Sequence, residues 1–74
     1  MQYNAASKPT QFDDLDFRNQ PSRLTLKWMT EGKPLSRKLK AKKAIQTAIH
    51  MTKLKEVTYV QLIHDGIIIA EWYR

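Results

Sequence analysis

Hydrophobic and polar residues alternate along three stretches of the chain, and this period of two predicts β-strands. The first stretch covers residues 24–28. The other two, 57–64 and 67–73, are rich in β-branched and aromatic residues and flank Asp65-Gly66, a strong β-hairpin signal. Glu31-Gly32 predicts another turn after the first strand, followed by a short return strand over residues 33–35. Pro34 confines that return strand to a sheet edge, because proline cannot donate to a β-ladder.

A helical period replaces the alternation between residues 37 and 53. The apolar and small residues of this segment lie on one arc, namely Ala41, Ala44, Ile45, Ala48, Ile49, Met51 and Thr52. The opposite arc is polar and consists of Lys40, Lys42, Lys43, Gln46, His50 and Lys53. Ser36 could cap this helix, and a start nearer Lys40 fits the pattern equally well. The predicted fold is α+β, in the order ββαββ: a small antiparallel sheet with one amphipathic helix packed on one face.

The second hairpin has two apolar faces, and one short helix can cover only one of them. A two-residue turn predicts that Leu62 pairs with Ile69 and Val60 with Glu71. The alanines of the helix permit close approach to the sheet. They favour burial of the aliphatic face of the hairpin, which consists of Val60, Leu62, Ile67 and Ile69. Tyr59 and Trp72 would then lie together on the other face, as an aromatic interface. That face could be covered by the N-terminal arm, by a second copy or by a partner, or it could stack nucleic-acid bases.

Length and composition predict a single domain without disulfide bonds. The chain has 74 residues and no cysteine, which favours a cytoplasmic location. The first residues do not have the pattern of a signal peptide. The longest apolar run, residues 67–70, is far too short to cross a bilayer. We therefore expect no association with membranes. We also expect the protein to be either a monomer or a homodimer.

Charge divides the chain into an arm and a body. The whole chain carries a net charge of +6. Residues 1–22 hold two cations and three aspartates, a net of −1, whereas residues 23–74 hold eleven cations and four carboxylates, a net of +7. Residues 1–11 are polar and without periodicity, which is typical of disorder. We predict a flexible acidic and aromatic arm over 1–22, ending at Pro21-Ser22, and a basic ββαββ domain over 23–74.

Apolar residues and carboxylates are interleaved in one part of the arm. The segment consists of Phe12, Asp13, Asp14, Leu15, Asp16 and Phe17. It could be a tethered end that packs a phenylalanine on the body. It could also be a docking motif that orders in a groove of a partner, or a mask whose aspartates lie on the lysines until they are displaced.

The densest positive charge lies at the start of the predicted helix. We predict that one row of cations contacts a polyanion or an acidic protein surface. The row consists of Arg37, Lys38, Lys40, Lys42, Lys43 and Lys53. The alternative is a solvated face that only keeps the protein soluble. Lysines in the first helical turn oppose the helix dipole, which indicates that these charges serve something other than helix stability.

The residues needed for catalysis or metal binding do not form any recognisable pattern. His50 and His64 are fourteen positions apart, without cysteines or an acidic cluster beside them, so we predict no metal site. The serines do not form a nucleophile–base arrangement, and the two glycines are too far apart for a phosphate-binding loop. The prediction is a non-enzymatic protein without cofactors.

In size, charge layout and element order the chain resembles small host-takeover proteins of lytic phages. These are short, often cysteine-free folds with a loose arm that bind a host machine such as RNA polymerase. The resemblance includes no residue motif and therefore assigns no functional position. It implies a transcription regulator that docks on a nucleic-acid-handling host complex through the basic helix and the arm. The alternatives are a DNA- or RNA-binding protein without sequence specificity and an inhibitor of a host restriction or CRISPR nuclease.

Overall fold

The ββαββ order predicted for the body is confirmed. The structure is a computed structural model and describes residues 11–74. Its main elements are β1 (Arg23–Thr30), β2 (Lys33–Lys40), α1 (Ala41–Met51), β3 (Val57–His64) and β4 (Ile67–Tyr73). Two short 3₁₀ turns precede them, at Gln11–Asp14 and Phe17–Asn19. Within the described residues the strands form an antiparallel sheet in the order β2-β1-β3-β4, and the fold is α+β.

Both hairpin turns lie where the sequence predicts them. Glu31 and Gly32 have φ angles of 51° and 76°, and Asp65 and Gly66 have φ angles of 50° and 80°. Positive φ at both central residues is what a two-residue type I′ turn requires, and glycine adopts it without steric cost. Each turn therefore brings its flanking strands directly into register.

Strand β2 is longer than the sequence indicates. It runs to Lys40 and pairs along its whole length with β1, so that Arg23 lies opposite Lys40. The helical interpretation of residues 37–40 is therefore wrong, as is a helix capped by Ser36, whereas a start near Lys40 is confirmed. The tight turn at Glu31-Gly32 aligns β2 with the eight residues of β1, and this pairing outweighs the helical preference of lysine and arginine. Pro34 does lie on an edge strand.

The hydrophobic core lies between α1 and one face of the sheet, which we call the helix face. Ala44 and Ala48 of the helix are fully buried, and their small side chains let α1 approach the strands closely. The core residues are Phe12, Leu24, Leu26, Ala41, Ala44, Ile45, Ala48, Val57, Val60, Leu62 and Ala70. Val60 and Leu62 of the predicted aliphatic face therefore lie beneath the helix, and Ile69 packs against the core. Ile67, predicted to lie with them, is instead 66% exposed.

A β-bulge changes the register of the second hairpin. The pairing shifts between Leu62 and Ile63, so that Leu62 lies opposite Ala70 and Val60 opposite Trp72. The predicted pairs of Leu62 with Ile69 and of Val60 with Glu71 are therefore wrong. A bulge inserts one extra residue into one strand, and every side chain beyond it changes face. For this reason Trp72 lies on the helix face and packs against the core.

The described part of the N-terminal arm packs against the body. Phe12 lies in the first 3₁₀ turn, its side chain is fully buried, and Leu15 packs against the same core. Both 3₁₀ turns contact α1, and the first also contacts β4. Apart from Gln11, the residues predicted to be disordered lie outside the described part of the chain. Within residues 11–74, α1 is too short and too polar to cross a bilayer.

Candidate functional site

Six cations gather at one end of the sheet, which we call the cationic end. They are Arg23, Arg37, Lys38, Lys40, Lys42 and Lys43. Arg23 begins β1 and lies opposite Lys40, the last residue of β2, and α1 starts immediately afterwards. The cationic end is therefore built where one strand begins, its neighbour ends and the helix starts.

The start of α1 adds to this positive charge. Lys40 occupies the N-cap position without a side-chain capping hydrogen bond, and the first turn contains no acidic residue. The backbone N–H of Ala41 donates to the carbonyl of Ser22 over 3.0 Å, which joins the helix start to the residue before β1. The helix dipole is positive at this terminus. Dipole and side chains therefore contribute potential of the same sign.

The structure brings together five of the six cations predicted as a binding row. Lys42 and Lys43 lie on α1, whereas Arg37, Lys38 and Lys40 lie on β2. They consequently do not form one helical row, because side chains on a strand alternate between the two faces of the sheet. Lys53 follows α1 at the opposite end of the sheet and is separate from the others.

Sequence reasoning missed Arg23 as a member of this site. A signal for it existed in the turn at Glu31-Gly32. A two-residue loop between strands of equal length places the first residue of one strand opposite the last residue of the other. Arg23 would have been placed beside Lys40 had β2 been extended from residue 35 to residue 40.

We call the sheet face away from α1 the open face. Its side chains form rows across the strands, in the order β2, β1, β3 and β4. No element within residues 11–74 packs over it. The strand pairings define three complete rows, which are Lys38–Thr25–Ile63–Ile68, Ser36–Lys27–Gln61–Glu71 and Pro34–Met29–Tyr59–Tyr73. Lys40 and Arg23 form a further row at the cationic end.

The two halves of the open face differ in chemistry. The half formed by β1 and β2 carries Arg23, Lys27, Lys38 and Lys40, and has no carboxylate among the described residues. The half formed by β3 and β4 carries apolar and aromatic side chains around one hydrogen-bonded carboxylate. Its members are Tyr59, Gln61, Ile63, Ile68, Glu71 and Tyr73.

Two tyrosines form the aromatic part of this face. The ring centroids of Tyr59 and Tyr73 lie 5.8 Å apart with an interplanar angle of 44°. The hydroxyl of Tyr73 donates to Glu71 Oε1 over 3.0 Å, and Gln61 Nε2 donates to the Tyr73 hydroxyl over 3.0 Å. The hydrogen bond to Glu71 is the main cause that raises the pKa of Tyr73 above its ordinary value.

The predicted interface of Tyr59 with Trp72 is wrong, because the bulge in the second hairpin places them on opposite faces. Tyr73 takes the position beside Tyr59. The guanidinium of Arg74 lies over the Trp72 ring, 5.0 Å from its centroid, and its Nε donates to the Val57 carbonyl over 3.0 Å. Trp72 and Arg74 thus hold the end of β4 against the body.

A cleft of about 370 Å³ opens at the cationic end of the open face. Arg23, Thr25 and Lys38 contribute its polar wall, and the β3–β4 turn closes one side. His64 Nε2 lies 3.7 Å from Asp65 Oδ2 at that turn. The cleft offers the cationic side chains of Arg23 and Lys38 to an anion of moderate size, although the Asp65 carboxylate also lines it on the side of the turn.

The residues predicted for arm docking are divided between core and surface. Phe12 and Leu15 contribute to the core, whereas Asp13, Asp14 and Asp16 are exposed. Asp16 Oδ1 accepts a hydrogen bond from the Arg18 side chain over 3.3 Å. Phe17 lies in the second 3₁₀ turn. The packing of Phe12 agrees with the interpretation of a tethered end, and docking through Phe12 would require its release from the core.

Residues 11–74 contain no group of three or more histidine, aspartate or glutamate side chains that could hold a metal ion. Comparison of the chain with protein-family models, with curated proteins and with solved structures found no match. The geometry of the cationic end and of the open face therefore carries the functional argument by itself.

Proposed function

We propose that this protein is a non-enzymatic binding module whose cationic end contacts the phosphate backbone of nucleic acid without reading its sequence. The observation that carries the proposal is the convergence of six cations from β1, β2 and α1 on one end of the molecule. Arg23, Lys38 and Lys40 lie on the open face, and Arg37 and the helix lysines lie on the other side of the same end. This concentration of charge suits a polyanion better than charges spread evenly over the protein.

The energetics of such a contact are dominated by counterion release. Each phosphate that a lysine or arginine neutralises frees condensed cations from the nucleic acid. Affinity therefore falls steeply with salt, by a slope of about 0.9 per contacted phosphate for duplex DNA. The exposed side of the first turn of α1 presents Lys42 and Lys43 at the cationic end, and lysines on a surface contact phosphates. Binding through the cationic end depends on charge and not on base sequence.

A pair of charge-matched variants tests the proposal. One variant carries Lys38→Gln, Lys40→Gln and Lys43→Gln at the cationic end, and its control carries Lys33→Gln, Lys53→Gln and Lys55→Gln at the opposite end. All six lysines are exposed, and both variants lose the same net charge. Fluorescence anisotropy with labelled DNA and RNA at several salt concentrations measures the affinity.

We expect the cationic-end variant to bind at least about tenfold more weakly and to lose about one unit of salt slope per phosphate contact removed. The control should stay within about twofold of the wild type, since its charges lie far from the contact. Equal weakening of both variants would show that net charge alone is responsible. Such a result, or a wild-type protein that binds neither DNA nor RNA at low salt, rejects the proposal.

A second proposal is the regulatory role implied by the resemblance to phage host-takeover proteins, with docking on RNA polymerase or on a host nuclease. The observation that favours a protein partner is the exposure of large aliphatic side chains on the two outer strands. Leu35 is 43% exposed, Ile67 66% and Ile68 48%. Leu35 lies at the other edge of the sheet, so the apolar surface in question is formed by Ile67 and Ile68, which are adjacent at the start of β4. Such residues do not contribute to phosphate contacts, and contiguous apolar surface marks protein interfaces. The test is binding of the protein to purified RNA polymerase that has been treated with nuclease. Binding by the wild type that is abolished by Ile67→Ser and Ile68→Ser would support this role.

A further inference from the structure

We propose that the open face binds single-stranded nucleic acid, with unpaired bases on the β3–β4 half and phosphates on the β1–β2 half. This inference rests on the proposed function and specifies its ligand. It is carried by the division of one sheet face into a cationic half and an aromatic half.

The aromatic half presents a fixed ring to a ligand. Tyr73 is 58% exposed, and hydrogen bonds to Glu71 and Gln61 hold its hydroxyl. Tyr59 packs beside it at a ring distance of 5.8 Å and is half-buried. A base that stacks on such a ring loses little freedom in the protein, because the ring is already oriented before binding.

The cationic half lies beside these rings and determines where the phosphates run. Lys27 lies on β1 between the tyrosine row and the cleft, and Lys38 lies on β2. Glu71 lies on β4, on the opposite side of the face. The negative phosphates are therefore attracted towards β1 and β2 and repelled from β4. This orientation turns the bases towards Tyr59 and Tyr73.

The cleft at the cationic end extends the same path. Tyr59 and Ile63 are four residues apart on β3, which corresponds to about 13 Å along a strand. Ile63 lines the cleft together with Thr25 and Lys38. A strand of nucleic acid that starts on the tyrosines thus reaches, after a short run over Lys27, a pocket lined by Arg23, Thr25 and Lys38, with Asp65 on the side of the turn. The tyrosines and the cleft can therefore belong to one continuous binding surface.

Base pairing decides which form of nucleic acid this surface can hold. The bases of a duplex are stacked on one another and paired, so their flat faces are not available to a protein ring. Unpaired bases can leave the stack and lie on aromatic side chains. The cationic end contacts phosphates in either form, whereas the tyrosines contribute only to binding of single strands.

The test compares two double variants on two probes. Tyr59→Leu with Tyr73→Leu removes both rings, and Tyr59→Phe with Tyr73→Phe keeps the rings and removes the hydroxyls. The probes are a fluorescein-labelled oligothymidylate and a labelled duplex of the same length. Urea unfolding of each variant checks that it folds. If the double leucine variant is unfolded, Tyr73→Leu alone is used, because this side chain is largely exposed.

We expect the wild type to prefer the single strand, and the leucine variant to lose about tenfold in affinity for it. Duplex binding should be unchanged in both variants, and the phenylalanine variant should stay within about threefold on the single strand. Equal wild-type affinity for both probes, or an unchanged single-strand affinity of the leucine variant, overturns the inference and leaves backbone binding at the cationic end intact. If the wild type binds neither the single strand nor the duplex, the inference and the proposed function are both overturned.

Discussion

The helix face and the open face of the sheet both carry apolar residues, yet only the helix face forms a core. On the helix face, Leu26 and Leu62 are paired across β1 and β3 and are almost fully buried. On the open face, β3 carries Tyr59 and Ile63, and both side chains stay partly exposed. Apolar residues on a strand are therefore not sufficient to make the face that carries them an interior.

The elements that cover each face account for the difference. Ala44 and Ala48 let α1 approach the helix face, and Phe12 fills the space beside the helix over β4. On the open face Lys27 and Lys38 stand among the apolar residues, and burial of an unpaired ammonium group costs far more than burial of an isoleucine gains. The same cations that prevent this face from becoming a core make it suitable for an anionic ligand.

The largest effect is expected for Phe12→Ala. Removal of this fully buried ring should lower the free energy of unfolding by about 3–5 kcal/mol, a large fraction of the stability of a small domain. Urea unfolding followed by circular dichroism measures the loss. Asp14→Ala, an exposed change in the same 3₁₀ turn, should cost no more than about 0.5 kcal/mol. A loss below about 1 kcal/mol for Phe12→Ala would show that the arm does not pack on the helix face in solution.

Adjacent residues of β3 provide a direct comparison of the two faces. Leu62→Ala should lower the free energy of unfolding by about 2–5 kcal/mol, because it leaves a cavity under α1. Ile63→Ala, on the open face, should cost less, about 1–2 kcal/mol, because its side chain is only partly buried and no helix packs over it. The same urea unfolding experiment measures both. Equal losses would mean that something covers the open face, such as a second copy, and sedimentation would then detect it.

The smallest effect concerns the hydrogen bonds on the open face. The pKa of Tyr73 should lie above 10.0, the ordinary value for a tyrosine, because its hydroxyl donates to Glu71 and this bond favours the neutral phenol. The hydrogen bond stabilises the folded state at any pH below the ordinary tyrosine pKa. This contribution to the free energy of unfolding is lost as the pH rises through the raised pKa of Tyr73. Ultraviolet absorbance titration follows the ionisation, and Tyr73→Phe identifies which transition belongs to this residue.

Glu71→Gln removes the main cause of this shift and should bring the pKa of Tyr73 down towards that of an ordinary tyrosine. The comparison needs only the wild type and this variant under identical salt. An unchanged titration curve would show that the Tyr73 hydroxyl is not held by Glu71 in solution, and that the ring on the open face is less fixed than the structure indicates.

Much of the fold could be predicted from local patterns. Asp65-Gly66 and the alternation on either side of it identify the second hairpin, and the small residues Ala44 and Ala48 identify the side of the helix that packs. These features depend on neighbouring residues and therefore leave a signal in a single sequence. The predicted order of elements is confirmed for the same reason.

The incorrect predictions concern features that are decided by pairing between strands. Residues 37–40 favour a helix by propensity, but their partners on β1 hold them in a strand. The bulge after Leu62 transfers Trp72 to the helix face and brings Tyr73 beside Tyr59. The bulge has no local signal, and the extension of β2 is indicated only by the two-residue turn at Glu31-Gly32. The charge of the candidate site could therefore be predicted, whereas its shape could not.

The contact between Ala41 and Ser22 gives the molecule a link between folding and ligand binding. It joins the start of α1 to the start of β1, and Arg23, Lys40 and Lys43 lie close to it in the chain. Like charges held together oppose the compact state, and a bound polyanion removes that repulsion. A ligand of this kind raises the resistance of the whole chain to unfolding as its concentration increases. If the cationic end binds a polyanion as proposed, the protein is least stable without that ligand, and its melting temperature rises with ligand concentration.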